Sequence, residues 1–183
     1  MKNKILVAIL ALAFIGGIGY GADFSLELKT NWLAPAETAF KDVYGGGMAL
    51  GGALAVSLSP NWELSLEMNR ITRDGELTYT SEPTEMSVFS IGVDVKYLFP
   101  LKGVTLYAGP GVYSHGFTED NRLGHLKKSG LGFKLKAGAL VALFDRFRLN
   151  LFAGYSFCKM TPGEFEIAIG GFEAGAGVRY TFR

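Results

Sequence analysis

The feature that most constrains this chain is alternation with period two. Eight segments place apolar side chains at every second position, the pattern of a strand whose two faces meet different surroundings. They run over Phe24–Trp32, Met48–Leu58, Trp62–Met68, Phe89–Phe99, Val104–Val112, Leu131–Leu143, Phe147–Phe157 and Phe172–Phe182. In the fourth, Phe89, Ile91, Val93, Val95, Tyr97 and Phe99 share one face, and Ser90, Gly92, Asp94 and Lys96 the other. No stretch beyond the N-terminal leader sustains a helical period. The pattern predicts an all-β, antiparallel fold.

The connections alternate in length. Short ones fall at Ser59–Asn61, Pro100–Gly103 and Asp145–Arg146. Long, polar ones fall at Leu33–Gly45, Asn69–Val88, Tyr113–Gly130 and Cys158–Gly171. Tight turns at one end and long loops at the other are the plan of an up-and-down transmembrane barrel, and an even strand number puts both chain ends on the periplasmic side. Two places strain the pattern. Pro110, between Gly109 and Gly111, interrupts a strand and predicts a bulge or bend. Phe165, Ile167 and Ile169 have the opposite parity to Phe172 onward, which predicts a register break near Gly170 and Gly171.

Alternation does not say which solvent each face meets. A secreted soluble sandwich or barrel would bury the apolar face as its core. Three observations favour lipid instead. No apolar-face position in the eight segments carries a charge. The other face is too small and weakly charged for a water-facing surface: in the second and fifth segments it offers only Ala, Gly, Ser, Thr and Tyr. Aromatic residues gather at the ends of the apolar face, with Phe24, Trp62, Tyr97, Phe99, Phe147, Tyr180 and Phe182 at the periplasmic end and Trp32 at the other, as in a membrane-interface girdle. Composition agrees. Charged residues are 19% of the chain, below the roughly 25% of soluble domains, and the mean hydropathy is +0.22.

The N-terminus reads as an export signal. Lys2 and Lys4 precede an apolar run from Ile5 to Ile18, and Gly19 and Gly21 are the small residues of a cleavage site before Ala22. The run is shorter than the roughly 20 residues of a spanning helix. Residues 1–21 are therefore expected to be a cleaved signal peptide, with the cut placed within about two residues, and residues 22–183 one barrel domain in the bacterial outer membrane. A formal net charge of +1 makes no case for nucleic acid. One cysteine, Cys158, excludes an internal disulfide.

The stretch Leu106-Tyr107-Ala108-Gly109-Pro110-Gly111-Val112-Tyr113 and the end Gly175-Ala176-Gly177-Val178-Arg179-Tyr180-Thr181-Phe182 resemble the small outer-membrane barrels of the eight-stranded OmpA/OmpX type. The likeness covers nearly all of the chain after the signal. It implies an eight-stranded transmembrane barrel, with Val178, Tyr180 and Phe182 as the C-terminal assembly signal. Arg183 departs from the pattern, since family members usually end on the aromatic itself. The partners so implied are outer-membrane lipid and, during biogenesis, periplasmic chaperones and the barrel assembly machinery.

The small-residue face is then the lumen. It carries Glu27, Lys29, Glu63, Glu67, Asp94, Lys96, Lys134, Lys136, Arg148, Glu173 and Arg179, five acids and six bases. An eight-stranded barrel is just wide enough for side chains to fill, and buried charges must pair. A salt-bridge plug is the expectation, a narrow solute path the alternative. Glu27 and Arg179 lie at similar heights on the first and last strands, as partners across the closing seam would. Catalysis finds little support. Glu63 and Glu67 would stand roughly 13 Å apart along a strand, too far to share a proton. Ser114 and His115 are adjacent and would point to opposite faces, and the two-residue His/Ser spacing of the lipid A deacylase barrels is absent. His115 and His125 are too loosely spaced for a metal. The expectation is a monomeric, non-enzymatic, porin-like barrel without cofactor or metal. Its role would be structural in the cell envelope, with outer loops open to adhesion or ligand contact. The alternatives are a narrow channel for small solutes and a lipid-modifying enzyme.

Overall fold

A computed structural model describes residues 23–76, 83–122, 124–160 and 167–182. The expected signal peptide, Phe165 and Arg183 lie outside the described residues. The strands are β1 (Phe24–Pro35), β2 (Gly47–Ser59), β3 (Trp62–Glu76), β4 (Pro83–Leu101), β5 (Val104–Asn121), β6 (Gly124–Phe144), β7 (Phe147–Met160), a short β8 (Ile167–Ala168) and β9 (Gly171–Phe182). A helix, α1 (Thr38–Tyr44), lies between β1 and β2.

Each long strand pairs antiparallel with its sequence neighbour, in the order β6-β5-β4-β3-β2-β1-β9-β7, and β6 pairs with β7 to close the ring. The seam is the β1–β9 ladder, running from Phe24↔Phe182 to Pro35↔Gly171. The result is a closed, eight-stranded, up-and-down barrel, and closure leaves none of the long strands as a free edge. Two-residue turns at 60–61, 102–103 and 145–146 lie at one end, here the turn end. Gly103 supplies the positive φ of +81° that a tight hairpin needs.

The outer surface is a belt of exposed apolar side chains: Leu28 is 71% exposed, Leu50 70% and Leu131 69%. Water-soluble chains rarely expose apolar surface of this extent. Val56 is an exception, buried among cross-strand partners Phe24 and Leu64. Trp62 packs on Tyr97 at 5.0 Å and Tyr97 on Phe99 at 4.6 Å. Farther round the turn end, Phe147 packs on Tyr180 at 5.0 Å and Tyr180 on Phe182 at 4.8 Å.

Three expectations are corrected. Within the long connections expected at residues 69–88 and 113–130, residues 69–76, 83–88, 113–121 and 124–130 are strand rather than loop. β3 and β4 stay paired out to Glu76↔Pro83, and β5 and β6 to Asn121↔Gly124. Strands of 15 to 21 residues exceed the roughly 9–11 that span a bilayer, so two hairpins project beyond the belt. Continued pairing satisfies backbone groups that a loop would leave to water. Pro110 causes no bulge. The β4–β5 ladder omits the rungs between Asp94↔Gly111 and Tyr97↔Ala108 but resumes in the same register, because a missing N–H removes a bond without inserting a residue. Nor does the register break at Gly170 and Gly171. Lys159↔Ala168 and Ser156↔Gly171 belong to one continuous frame. Ile169 has lumen parity because it is a lumen residue, and is buried.

It belongs to a core that the polar reading of Leu33–Gly45 did not anticipate. At the loop end α1 folds inward, and Phe40 and Tyr44 pack with Ile71, Met86, Phe117 and Ile169 in one apolar cluster. The Ala36 N–H donates to the Gly170 carbonyl at 3.0 Å, and the Glu37 carboxylate accepts the Ala168 N–H. The barrel mouth is thus capped by its own first loop.

Candidate functional site: the lumen ion cluster

Strand parity aims alternate residues inward, and glycines on the same face make room for them. A Cβ at Gly92 would collide with the Tyr113 ring, and one at Gly138 would stand 2.6 Å from that of Tyr107. This explains the small residues on the lumen face: they are the space that long side chains from neighbouring strands occupy.

Glu67 on β3 is the hub. Lys136 Nζ lies 2.5 Å from both of its carboxylate oxygens. Lys29 donates to Oε2, and Lys96 Nζ stands 3.4 Å from Oε1. The Tyr113 hydroxyl lies 2.9 Å from Glu67 Oε2 and 2.7 Å from Asp94 Oδ2, and its one proton serves one of them at a time. Lys136 also reaches Asp94, at 3.2 Å. Strands β1, β3, β4, β5 and β6 therefore converge on one knot at the barrel axis.

A second knot lies towards the turn end. Arg179 on β9 grips Glu63 with Nη1 at 2.6 Å and Nη2 at 3.2 Å, the two-pronged geometry that suits a guanidinium. Its Nε donates to Glu27 at 3.1 Å. Glu27 also accepts from Asn150 at 2.7 Å, and Asn150 accepts from the Tyr107 hydroxyl at 2.9 Å. Lys96, 3.5 Å from Glu63, bridges the two knots. On the loop side, Lys134 donates to Glu173 at 2.9 Å and sits 4.4 Å over the Tyr113 ring. Among the described residues, five carboxylates thus face five cations in the lumen, all deeply buried. Such charges survive burial only when paired.

Ten of the eleven lumen positions join this network. Arg148 does not: it is half-buried near the turn end, and its β9 neighbour is Arg179, whose carboxylates are already engaged. Glu63 and Glu67, four residues apart on β3, each face Lys96, at 3.5 and 3.4 Å, rather than sharing a proton. Ser114 and His115 point to opposite sides. Ser114 is half-buried on the outer face, while His115 turns inward, its Nδ1 2.7 Å from Ser90 Oγ. His125 bonds to Asp120 on the exposed tip of a hairpin.

The girdle positions Phe24, Trp32, Trp62, Tyr97, Phe99, Phe147, Tyr180 and Phe182 all lie on the outward parity of their strands, with Trp32 and Trp62 48% and 47% exposed. Val178, Tyr180 and Phe182 share that face on β9. Sequence reasoning missed the Ser90–His115 contact, the hub role of Glu67 and α1. For the helix a signal was present: Phe40, Val43 and Tyr44 repeat at helical spacing.

No known family and no curated protein matches the chain. Solved structures do. Neisserial surface protein A is 15% identical, covers 88% of this chain and 97% of its own, and superposes with a TM-score of 0.66. The outer-membrane protein OprG of Pseudomonas aeruginosa is 13% identical, with coverages of 88% and 96% and a TM-score of 0.66. A major outer-membrane protein of Thermus thermophilus is 16% identical, with coverages of 89% and 100% and a TM-score of 0.58. At these identities the likeness is one of fold, that of the eight-stranded outer-membrane barrels.

Proposed function

We propose that this chain, with the fold of the small outer-membrane barrels, is a non-conducting, non-enzymatic element of the bacterial outer membrane. In this reading the barrel anchors two projecting hairpins, β3–β4 and β5–β6, which are available for adhesion or ligand contact. The turn end then faces the periplasm, and lipid covers the apolar belt. Fold alone does not assign such a role.

One observation carries the reading: the Glu67 knot closes the lumen with side chains contributed from five strands. Opening a path there would strip several buried ions of their partners at once. The α1 cap adds a second barrier at the loop end. Against catalysis stands the separation of Ser114 from His115. The partners in this reading are membrane lipid, the chaperones and assembly machinery of biogenesis, and an extracellular contact at the hairpins; the barrel acts as a monomer.

The test is single-channel recording of the refolded protein in planar bilayers. No stable conductance steps are expected. Reproducible open-pore steps would overturn the plug and promote a narrow solute channel, entering through the lumen or beside Pro110, where the β4–β5 ladder omits rungs.

A further inference from the structure

His115 on β5 and Cys158 on β7 flank β6 from either side. Between them the inward face of β6 carries no side chain, because Gly130 is the register partner of His115 and Gly132 that of Cys158. A Cβ at Gly132 would stand 2.9 Å from Cys158 Cβ and 2.9 Å from His115 Nε2. The thiol-bearing carbon and the imidazole nitrogen therefore approach one point from opposite sides. Two residues back along β6, a Cβ at Gly130 would lie 2.8 Å from Met160 Cγ and 3.4 Å from Met160 Cε, the carbons that the thioether sulfur joins. Two adjoining glycine positions thus gather an imidazole, a thiol and a thioether around one notch.

All three residues are deeply buried, His115 at 6% exposure, Cys158 at 3% and Met160 at 5%. Cys158 is in no disulfide. His115 Nε2 has no hydrogen-bond partner, a costly state for a buried ring nitrogen that calls for a ligand. The other ring nitrogen shows how it would be held. Ser90 Oγ lies 2.7 Å from His115 Nδ1, so that Nδ1–H can donate to the hydroxyl and leave Nε2 with a bare lone pair beside Cys158. Metal-binding histidines are oriented in this way, by a hydrogen bond from the nitrogen that does not bind the metal.

The donor set selects the metal. Thiolate and thioether sulfur are soft and polarizable, and favour copper(I). A structural zinc ion takes four ligands, and among the described residues no three His, Cys, Asp or Glu side chains stand together to supply them. Charge points the same way. Cys158 and Met160 belong to the apolar cluster at the loop end. Copper(I) and one thiolate sum to zero, whereas a divalent ion would leave a buried, unpaired charge there.

We propose that Cys158, His115 and Met160 form a copper(I) site at the loop end of the lumen, with Ser90 positioning the imidazole. On loading, the S–H bond breaks as the S–Cu bond forms, the proton passes to solvent, and no electron is transferred. His125, on the exposed hairpin tip, takes no part.

The test is titration of the full barrel, folded in lipid nanodiscs, with copper(I) kept reduced by ascorbate in the absence of oxygen. One equivalent should stay with the protein through desalting and bring an ultraviolet thiolate-to-copper absorption band. In nitrogen-labelled histidine the His115 Nε2 resonance should shift while Nδ1 keeps its proton. Cys158→Ser and His115→Ala should each lose the retained copper, and Met160→Leu should weaken its retention, while the barrels still run as folded species in unheated gels. Zinc(II) at the same concentration should not be retained. Failure of the folded wild type to hold copper, or copper held with the Nε2 resonance unmoved, would overturn the proposal. So would equal retention of zinc, or undiminished copper in folded Cys158→Ser. The wild-type measurements decide even if a variant fails to assemble.

Discussion

Glu27 on the first strand and Arg179 on the last are register partners across the closing seam, and their side chains meet inside it at 3.1 Å. The contact joins residues 152 positions apart, so it forms only when the ring closes. Arg179 continues to Glu63, tying the seam to β3.

Arg179→Ala strands two buried carboxylates together. Loss of one partner from a buried pair costs about 3–5 kcal/mol. Urea titration of the barrel in lipid should show a loss of that order, and Glu27→Ala/Arg179→Ala should recover part of it. A single variant as stable as wild type would show that the seam does not depend on this pair.

The tryptophans test lipid contact. Trp32 and Trp62 lie near opposite ends of the outward face, each about half exposed. Indole favours the interface, where its ring is apolar and its N–H finds a partner. Lipids brominated high on the acyl chain should quench both, and lipids brominated near the midplane should quench less. Trp32→Phe and Trp62→Phe separate the two signals. Absence of quenching from both, with β-structure intact, would refute the membrane reading.

Assembly in cells should depend on Phe182. Its side chain is 49% exposed beside Tyr180, so Phe182→Ala removes little packing from the folded barrel. A fall in outer-membrane yield would therefore report recognition of the C-terminal signal. Deleting Arg183 alone should leave the yield intact or raise it. Normal assembly of Phe182→Ala would remove the assignment.

The cap should respond to alkali. Burial pushes the Tyr44 hydroxyl up to about 12, from an ordinary 10.0. The closed cap holds this proton more tightly than the open one. Its contribution is complete below pH 10.0 and is lost as the pH rises towards 12. Protection of the α1 amides, taken relative to the intrinsic base-catalysed exchange rate, should fall across that window in the wild type, and Tyr44→Phe should flatten the response. An ordinary titration of Tyr44 would show that α1 does not bury it.

Much of the architecture was legible in the chain, because a pleated strand converts sequence parity directly into inside and outside. Leu28 and Leu50 read as outward, Glu27 and Arg179 as inward, and the alternating spacing of turns implied the up-and-down order. Where parity ran against a neighbouring segment, as at Ile169, it was the parity that held, since a continuous ladder keeps its frame across a local interruption. The extent of the hairpins was less legible: past Met68 and Val112 the belt ends, so outward residues no longer need to be apolar, yet backbone pairing continues.

Pairing among the lumen charges belongs to tertiary structure. Parity says that Glu67, Lys29, Lys96 and Lys136 face inward, but which cation reaches which carboxylate depends on the stagger between strands, which alternation does not encode. His115 shows the same division. Its sequence neighbour Ser114 is turned away by the pleat, while Ser90, 25 residues distant, is brought to 2.7 Å by the β4–β5 register. The inward fold of α1 was decided likewise: Phe40 and Tyr44 have helical spacing in the chain, but their burial requires a closed mouth lined by Ile71, Met86 and Phe117, which exists only once the barrel has formed.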